Sequence, residues 1–137
     1  MTIFVDTAAL YAFLDADDAN HAECKREWRR LLEYGEQLVT SNYVLVEACA
    51  LVQHRLGVQA VRDLQEAMLP ALQVLWVDEQ AQREAVSALL TAGRRELSLV
   101  DCATFGLMRE WAITSAFTFD RHFDEQGFER IPPPTVA

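Results

Sequence analysis

The chain has 137 residues, 51% of them hydrophobic, and a formal net charge of −9. That length closes one compact core and leaves too little chain for two domains of ordinary size, so a single domain over 1–137 is expected. The acidic balance argues against binding nucleic acid by bulk electrostatics, and no apolar run is long enough to span a bilayer.

At the N-terminus, "MTIFVDTAALYAFLDADD" lacks the basic flank and cleavage site of a secretory signal, which sets a cytoplasmic location as the expectation. "TIFV" predicts a short strand ending at Asp6, and "TAALYAFL" a helix after it. Asp18 is placed to cap a second helix through "ANHAECKREWRRLLEYG", which Gly35 stops; "QLVT" is the second strand. A third helix runs from Asn42 to Leu56, and a fourth through "VQAVRDLQEAML" until Pro70. "LQVLWV" predicts a strand, Asp78 caps the helix "EQAQREAVSALLTA" and Gly93 ends it. Ser98 opens a helix through "LVDCATFGLMREWA". The strand "SAFTF" and a short one at "FERI" complete the pattern, with a loose tail expected over 131–137.

Strands separated by helices of this length specify βαβ units. The expected class is therefore α/β, a three-layer α/β/α sandwich around a mostly parallel five-stranded sheet. Ligands of such sheets bind outside the carboxyl ends of the strands, where Asp6 and Asp120 fall.

Each acid has an ordinary use as well as a chemical one. Asp6 suits an N-cap, and Asp101 closes a capping box with Ser98. Asp120 and Asp124 taken singly suit turns. Glu47 lies in the apolar stretch "YVLVEACALV" with no basic residue three or four positions away, and a buried bare carboxylate costs several kcal/mol. Together the acids point to a shared pocket. Two carboxylates about 4 Å apart repel by roughly 4 kcal/mol at an effective dielectric near 20, so a cluster either protonates or takes a hard cation.

Cys24, Cys49 and Cys102 form no CxxC pair, and His21, His54 and His122 show no HxxxH spacing. A thiolate or histidine metal centre is not expected, and His122 is read as a turn residue. Oxygen donors alone select Mg²⁺ or Mn²⁺. Such a cation polarises a phosphoryl oxygen and acidifies a bound water, which is what phosphodiester hydrolysis requires. Arg121, Arg94 and Arg95 stand near the fourth and third acids as candidate phosphate contacts, with solvated charge the first reading. The same reading applies to Arg26, Arg29 and Arg30.

"FVDTAALYAFLD", "TSNYVLVEACAL", "LSLVDCATFGLM" and "AFTFDRHF" resemble, in order and spacing, the four acidic motifs of PIN domains, in particular VapC-type toxins. The resemblance covers residues 3–131. It implies that Asp6, Glu47, Asp101 and Asp120 are the catalytic and metal-binding acids, with Asp124 an additional metal ligand. Thr7, Ser41, Ser98 and Thr118 match the polar positions of those motifs. It further implies a Mg²⁺- or Mn²⁺-dependent endoribonuclease that cuts tRNA or rRNA, forms a homodimer and is silenced by a cognate antitoxin. The alternative is a PIN-like module that binds RNA or protein without cutting. Aspartyl-phosphate chemistry is poorly matched: no second Asp stands two residues after Asp6, and Lys25 is the only lysine.

Overall fold

The computed structural model describes residues 1–134; the expected tail residues 135–137 lie outside the described part. Five short strands, rich in β-branched and aromatic residues, form the sheet: β1 (Thr2–Val5), β2 (Gln37–Ser41), β3 (Gln73–Leu75), β4 (Ser115–Phe117) and β5 (Glu129–Ile131). Their order is β3-β2-β1-β4-β5, and every pairing is parallel. Ile3 aligns with Leu38 on one side and Ser115 on the other, and Val5 with Phe117. Ile3, Phe4, Val5, Ala116 and Phe117 are fully buried. This is the near-continuous apolar pattern of strands covered on both faces.

Helices α1 (Thr7–Leu14) and α2 (His21–Glu33) link β1 to β2, and α3 (Asn42–Leu56) and α4 (Val58–Asp63) link β2 to β3. After β3, α5 (Glu79–Ala92) and α6 (Leu99–Glu110) carry the chain back across the sheet to β4, and α7 (His122–Glu125) precedes β5. The central strands are buried on both faces, as the expected α/β/α layering requires. α2 buries Cys24, Trp28 and Leu31 and leaves Arg26, Arg29 and Arg30 exposed, Arg30 paired with Glu27, so these arginines form a solvated face.

Four expectations need correction. Asp18 does not cap α2: its carboxylate accepts from the Asn20 amide at 2.8 Å, closing a turn one step earlier. The fourth helix stops at Asp63 and continues as a wide π-helical turn over Leu64–Met68 and a tight 3₁₀ turn over Leu69–Ala71. Pro70, lacking an N–H and crowding the preceding turn, keeps the chain from resuming a regular helix. β3 and β4 are three residues each: beyond β3 the Val77 amide bonds Asn42 Oδ1 at 2.7 Å, and beyond β4 the Thr118 side chain bonds Asp6. Ile131 is not tail: it pairs with Phe117 in β5, its carbonyl accepts from the Thr118 amide at 3.1 Å, and Pro132 beyond it is buried.

From β1 the chain steps toward β2 and β3; β4 lies on its other side. The carboxyl ends of β1 and β4 therefore flank the point where the strand order reverses, the crevice in which open α/β sheets bind ligands.

Candidate active site

Val5 and Phe117 are the last paired residues of the two central strands, and the next residues outward are Asp6 and Thr118. The Asp6 amide still bonds the Phe117 carbonyl at 3.1 Å, so the ladder delivers the carboxylate to the sheet edge in fixed register. Asp6 occupies the N-cap position of α1, and its carbonyl accepts from Ala9 and Leu10, but its side chain makes no capping bond. Asp6 Oδ2 instead accepts from Thr118 Oγ1 at 3.0 Å.

Asp6 is 5% exposed. Burial pushes its carboxyl up from the usual 3.8 to about 7; the charges of Asp101 and Asp120 push the same way, while the Thr118 hydroxyl and the Thr7 amide pull against them. Asp101 and Asp120 are thus near enough to be felt at Asp6.

Asp101 stands in the first turn of α6. Its amide donates to Ser98 Oγ at 3.0 Å and its Oδ2 accepts from the Ser98 amide at 3.1 Å, the reciprocal capping box expected. Its carboxyl is also shifted up, by partial burial first and then by Asp120, with Ser98 and His122 opposing. Asp120 follows β4. Its amide donates to Thr118 Oγ1 at 3.1 Å, and its Oδ1 accepts from the His122 amide at 2.9 Å. Each acid is therefore held through one oxygen by a donor of its own and has a second oxygen to offer. Such preorganisation is what metal-binding carboxylates need.

Among the described residues, one set of three ligand atoms from Asp, Glu, Cys or His lies mutually within 4.8 Å: those of Asp101, Asp120 and His122. His122, read from the sequence as a turn residue, thus stands at the acidic centre; α7, which carries it, is only four residues long and gives no periodic signal. Thr7 Oγ1, beside Asp6, is buried and has no hydrogen-bond partner.

One predicted ligand, Asp124, is engaged elsewhere. Asp124 is exposed, and its Oδ2 is held by Arg130 at 2.8 Å from Nε and 2.7 Å from a terminal nitrogen. Glu47 is half-buried on α3, a helix capped by Ser41 Oγ at the Val44 amide and packed against α1 and α6, and it does not belong to the set of three. Arg94 is tied to Glu96 at 3.1 Å and Glu125 at 3.2 Å, while Arg95 and Arg121 are exposed. A cleft of about 560 Å³ between α5 and α6, bordered by Trp76 and Trp111, is lined by none of the five predicted acids.

The donor set suits a hard divalent cation. The acids come from the end of β1, from α6 and from the turn after β4, and one of them is driven toward neutrality by burial first and then by the charges of the other two.

The parallel sheet and the acids at its switch point define an α/β protein with a cation-seeking acidic centre. The chain belongs to the PIN domain family, the match running over residues 3–129. It is similar to the 23S rRNA-specific endonuclease VapC20 of Mycobacterium tuberculosis, 33% identical over 132 residues, which is 96% of this chain and 98% of the relative. The crystal structure of VapC20, there called a Sarcin-Ricin loop cleaving toxin, matches with a TM-score of 0.82 over 92% of this chain and 95% of that one. FitAcB from Neisseria gonorrhoeae, 18% identical, shares the fold, with a TM-score of 0.68 over 97% of this chain and 98% of that one.

Proposed function

We propose that the chain is a metal-dependent endoribonuclease, the toxin of a toxin–antitoxin pair, and that its substrate is ribosomal RNA of the kind cut by VapC20. The observation that carries the proposal is the acidic cluster at the sheet edge, where Asp6, tied through Thr118 to Asp120, is raised to about 7 by burial and then by the charges of Asp101 and Asp120. The 33% identity to a 23S rRNA-specific endonuclease over nearly the full length of both chains supports the substrate class.

In this reading Asp6, Asp101 and Asp120 hold Mg²⁺ or Mn²⁺, and Glu47 joins them on the family resemblance. Bound there, the cation supplies positive charge to the scissile phosphate and lowers the pKa of water. The protein's own contribution is to fix the acids: Thr118 orients Asp6, the Ser98 amide orients Asp101 and the His122 amide orients Asp120. With a net charge of −9, the chain cannot gather RNA by its overall field, so the cation and exposed Arg95 and Arg121 provide the local attraction. A cognate antitoxin, a homodimer and action in the cytoplasm complete the proposal. No helix among the described residues is long and apolar enough to cross a membrane.

The test is cleavage of total RNA, and of a synthetic sarcin–ricin hairpin, by purified protein in EDTA, Mg²⁺ or Mn²⁺, with Asp6→Asn alongside. Discrete ends that need metal and vanish in the variant are expected. Binding of RNA without cutting by either protein would move the non-cleaving module ahead.

A further inference from the structure

We propose that His122 is a nitrogen ligand of the cation held by Asp101 and Asp120, so that the site selects Mn²⁺ over Mg²⁺. The inference rests on the metal-dependent reading above and adds to it a donor that an all-carboxylate site lacks.

The geometry carries it in three steps. The ligand atoms of Asp101, Asp120 and His122 come from α6, from the turn after β4 and from α7, and all lie within 4.8 Å of one another. His122 Nδ1 stands 3.2 Å from Asp120 Oδ1, yet it is buried with no hydrogen-bond partner, and Oδ1 is already engaged by the His122 amide at 2.9 Å. A buried polar nitrogen left unpaired costs free energy, which coordination would recover. Ligands on a six-coordinate ion with bonds near 2.1 Å stand about 3.0 to 4.2 Å apart, so three ligand atoms mutually within 4.8 Å can close on one ion by small side-chain rotations.

The backbone that carries the imidazole is anchored by packing of the next residue. Phe123, its neighbour, is fully buried and meets Phe105 of α6 edge-on with ring centroids 5.1 Å apart. The helix that carries Asp101 therefore also anchors the short helix that carries His122. A donor held in this way keeps its place before the ion arrives. Carboxylate and water oxygens suit Mg²⁺ and Mn²⁺ alike, but Mn²⁺ is a transition metal, the class that imidazole nitrogen ligates, whereas Mg²⁺ takes oxygen; of the two ions, a nitrogen donor therefore favours Mn²⁺.

The experiment is pulsed EPR of Mn²⁺ bound to the full chain labelled with ¹⁵N in its histidine rings, together with Mn²⁺ and Mg²⁺ dissociation constants for the wild type and for His122→Gln. The expected result is a ¹⁵N coupling in the wild type that disappears in the variant, and a Mn²⁺-to-Mg²⁺ preference that falls at least about tenfold. Tightly bound Mn²⁺ with no histidine coupling would overturn the assignment, and so would a variant that weakens both ions by the same factor, which is the mark of a residue that only orients Asp120. The labelling measurement needs no variant to fold. A wild type that binds neither ion would remove the metal-dependent function itself, a result distinct from Mn²⁺ bound without nitrogen.

Discussion

The Thr118 hydroxyl donates to the Asp6 carboxylate at 3.0 Å across 112 residues of sequence, in a setting closed to solvent. The same oxygen accepts from the Asp120 amide at 3.1 Å, so one threonine ties two of the three clustered acids. Hydrogen bonds to a charged group contribute about 1.5–3 kcal/mol. Thr118→Val, of nearly the same shape, is expected to lose that much stability at pH 8 without metal and less at pH 5, where Asp6 carries its proton. Thr118→Ser should stay near wild type. Urea unfolding at the two pH values checks this, and an equal loss at both would show that packing, not the bond to a carboxylate, is at stake.

Asp6 gives the metal-free protein a pH slope. Its carboxyl lies at about 7 folded against 3.8 ordinarily, so between those values the folded state holds a proton that the unfolded state has released. The stability is fully present below pH 3.8 and is lost as pH rises through 7, by roughly 4 kcal/mol for a shift of this size. Asp6→Asn, which has no charge to bury and no helix cap to forfeit, should flatten much of that slope and be the more stable protein at pH 8. Parallel curves from calorimetry for the two proteins would contradict the burial argument.

Cation binding should offset both the burial of the Asp6 charge and its repulsion by Asp101 and Asp120. At 100 times its dissociation constant, a ligand of the folded state stabilises it by about 2.7 kcal/mol, roughly 10 °C in Tm for a chain of this size. Mn²⁺ is expected to raise Tm by that order in the wild type and to do little for Asp120→Asn or Asp101→Asn. A thermal scan with and without EDTA decides it, an unchanged shift in both variants being the adverse result.

Asp124 and Asp120 are four residues apart and should behave as different kinds of residue. Asp124 is held by Arg130 and is partly exposed, so Asp124→Asn should cost no more than about 1 kcal/mol and leave RNA cleavage near the wild-type rate. Asp120→Asn should cut cleavage by more than about 100-fold, beyond the usual effect of losing an outer-shell partner. Initial rates on one RNA substrate compare them directly.

The capping box separates helix stability from chemistry. Ser98→Ala removes the acceptor for the Asp101 amide and should cost about 1 kcal/mol. The Ser98 amide that holds Asp101 Oδ2 survives the change, so cleavage should persist once the protein is folded. Denaturant unfolding beside a rate measurement tests the pair, and a loss of activity as large as that of Asp101→Asn would show the hydroxyl itself at work.

Much of this protein is written in short stretches of its chain. The apolar runs ending at Asp6 and near Asp120, the Ser98 and Asp101 spacing and the alternation of strands with helices suffice for the α/β class, for the two central strand ends and for the capping box, because each depends on contacts within a few residues. Glu47 is less legible: α3 is apolar on nearly every side, so periodicity does not say which way the carboxylate turns. The partners of the acids are not legible at all. That Asp124 belongs to Arg130, that Asp6 shares Thr118 with Asp120 and that His122 stands among the acids follow from how β1, β4, β5, α6 and α7 pack. Those contacts join residues up to 112 positions apart. A carboxylate's burial, charge and partner are set by what the folded chain brings against it, and no local pattern encodes that.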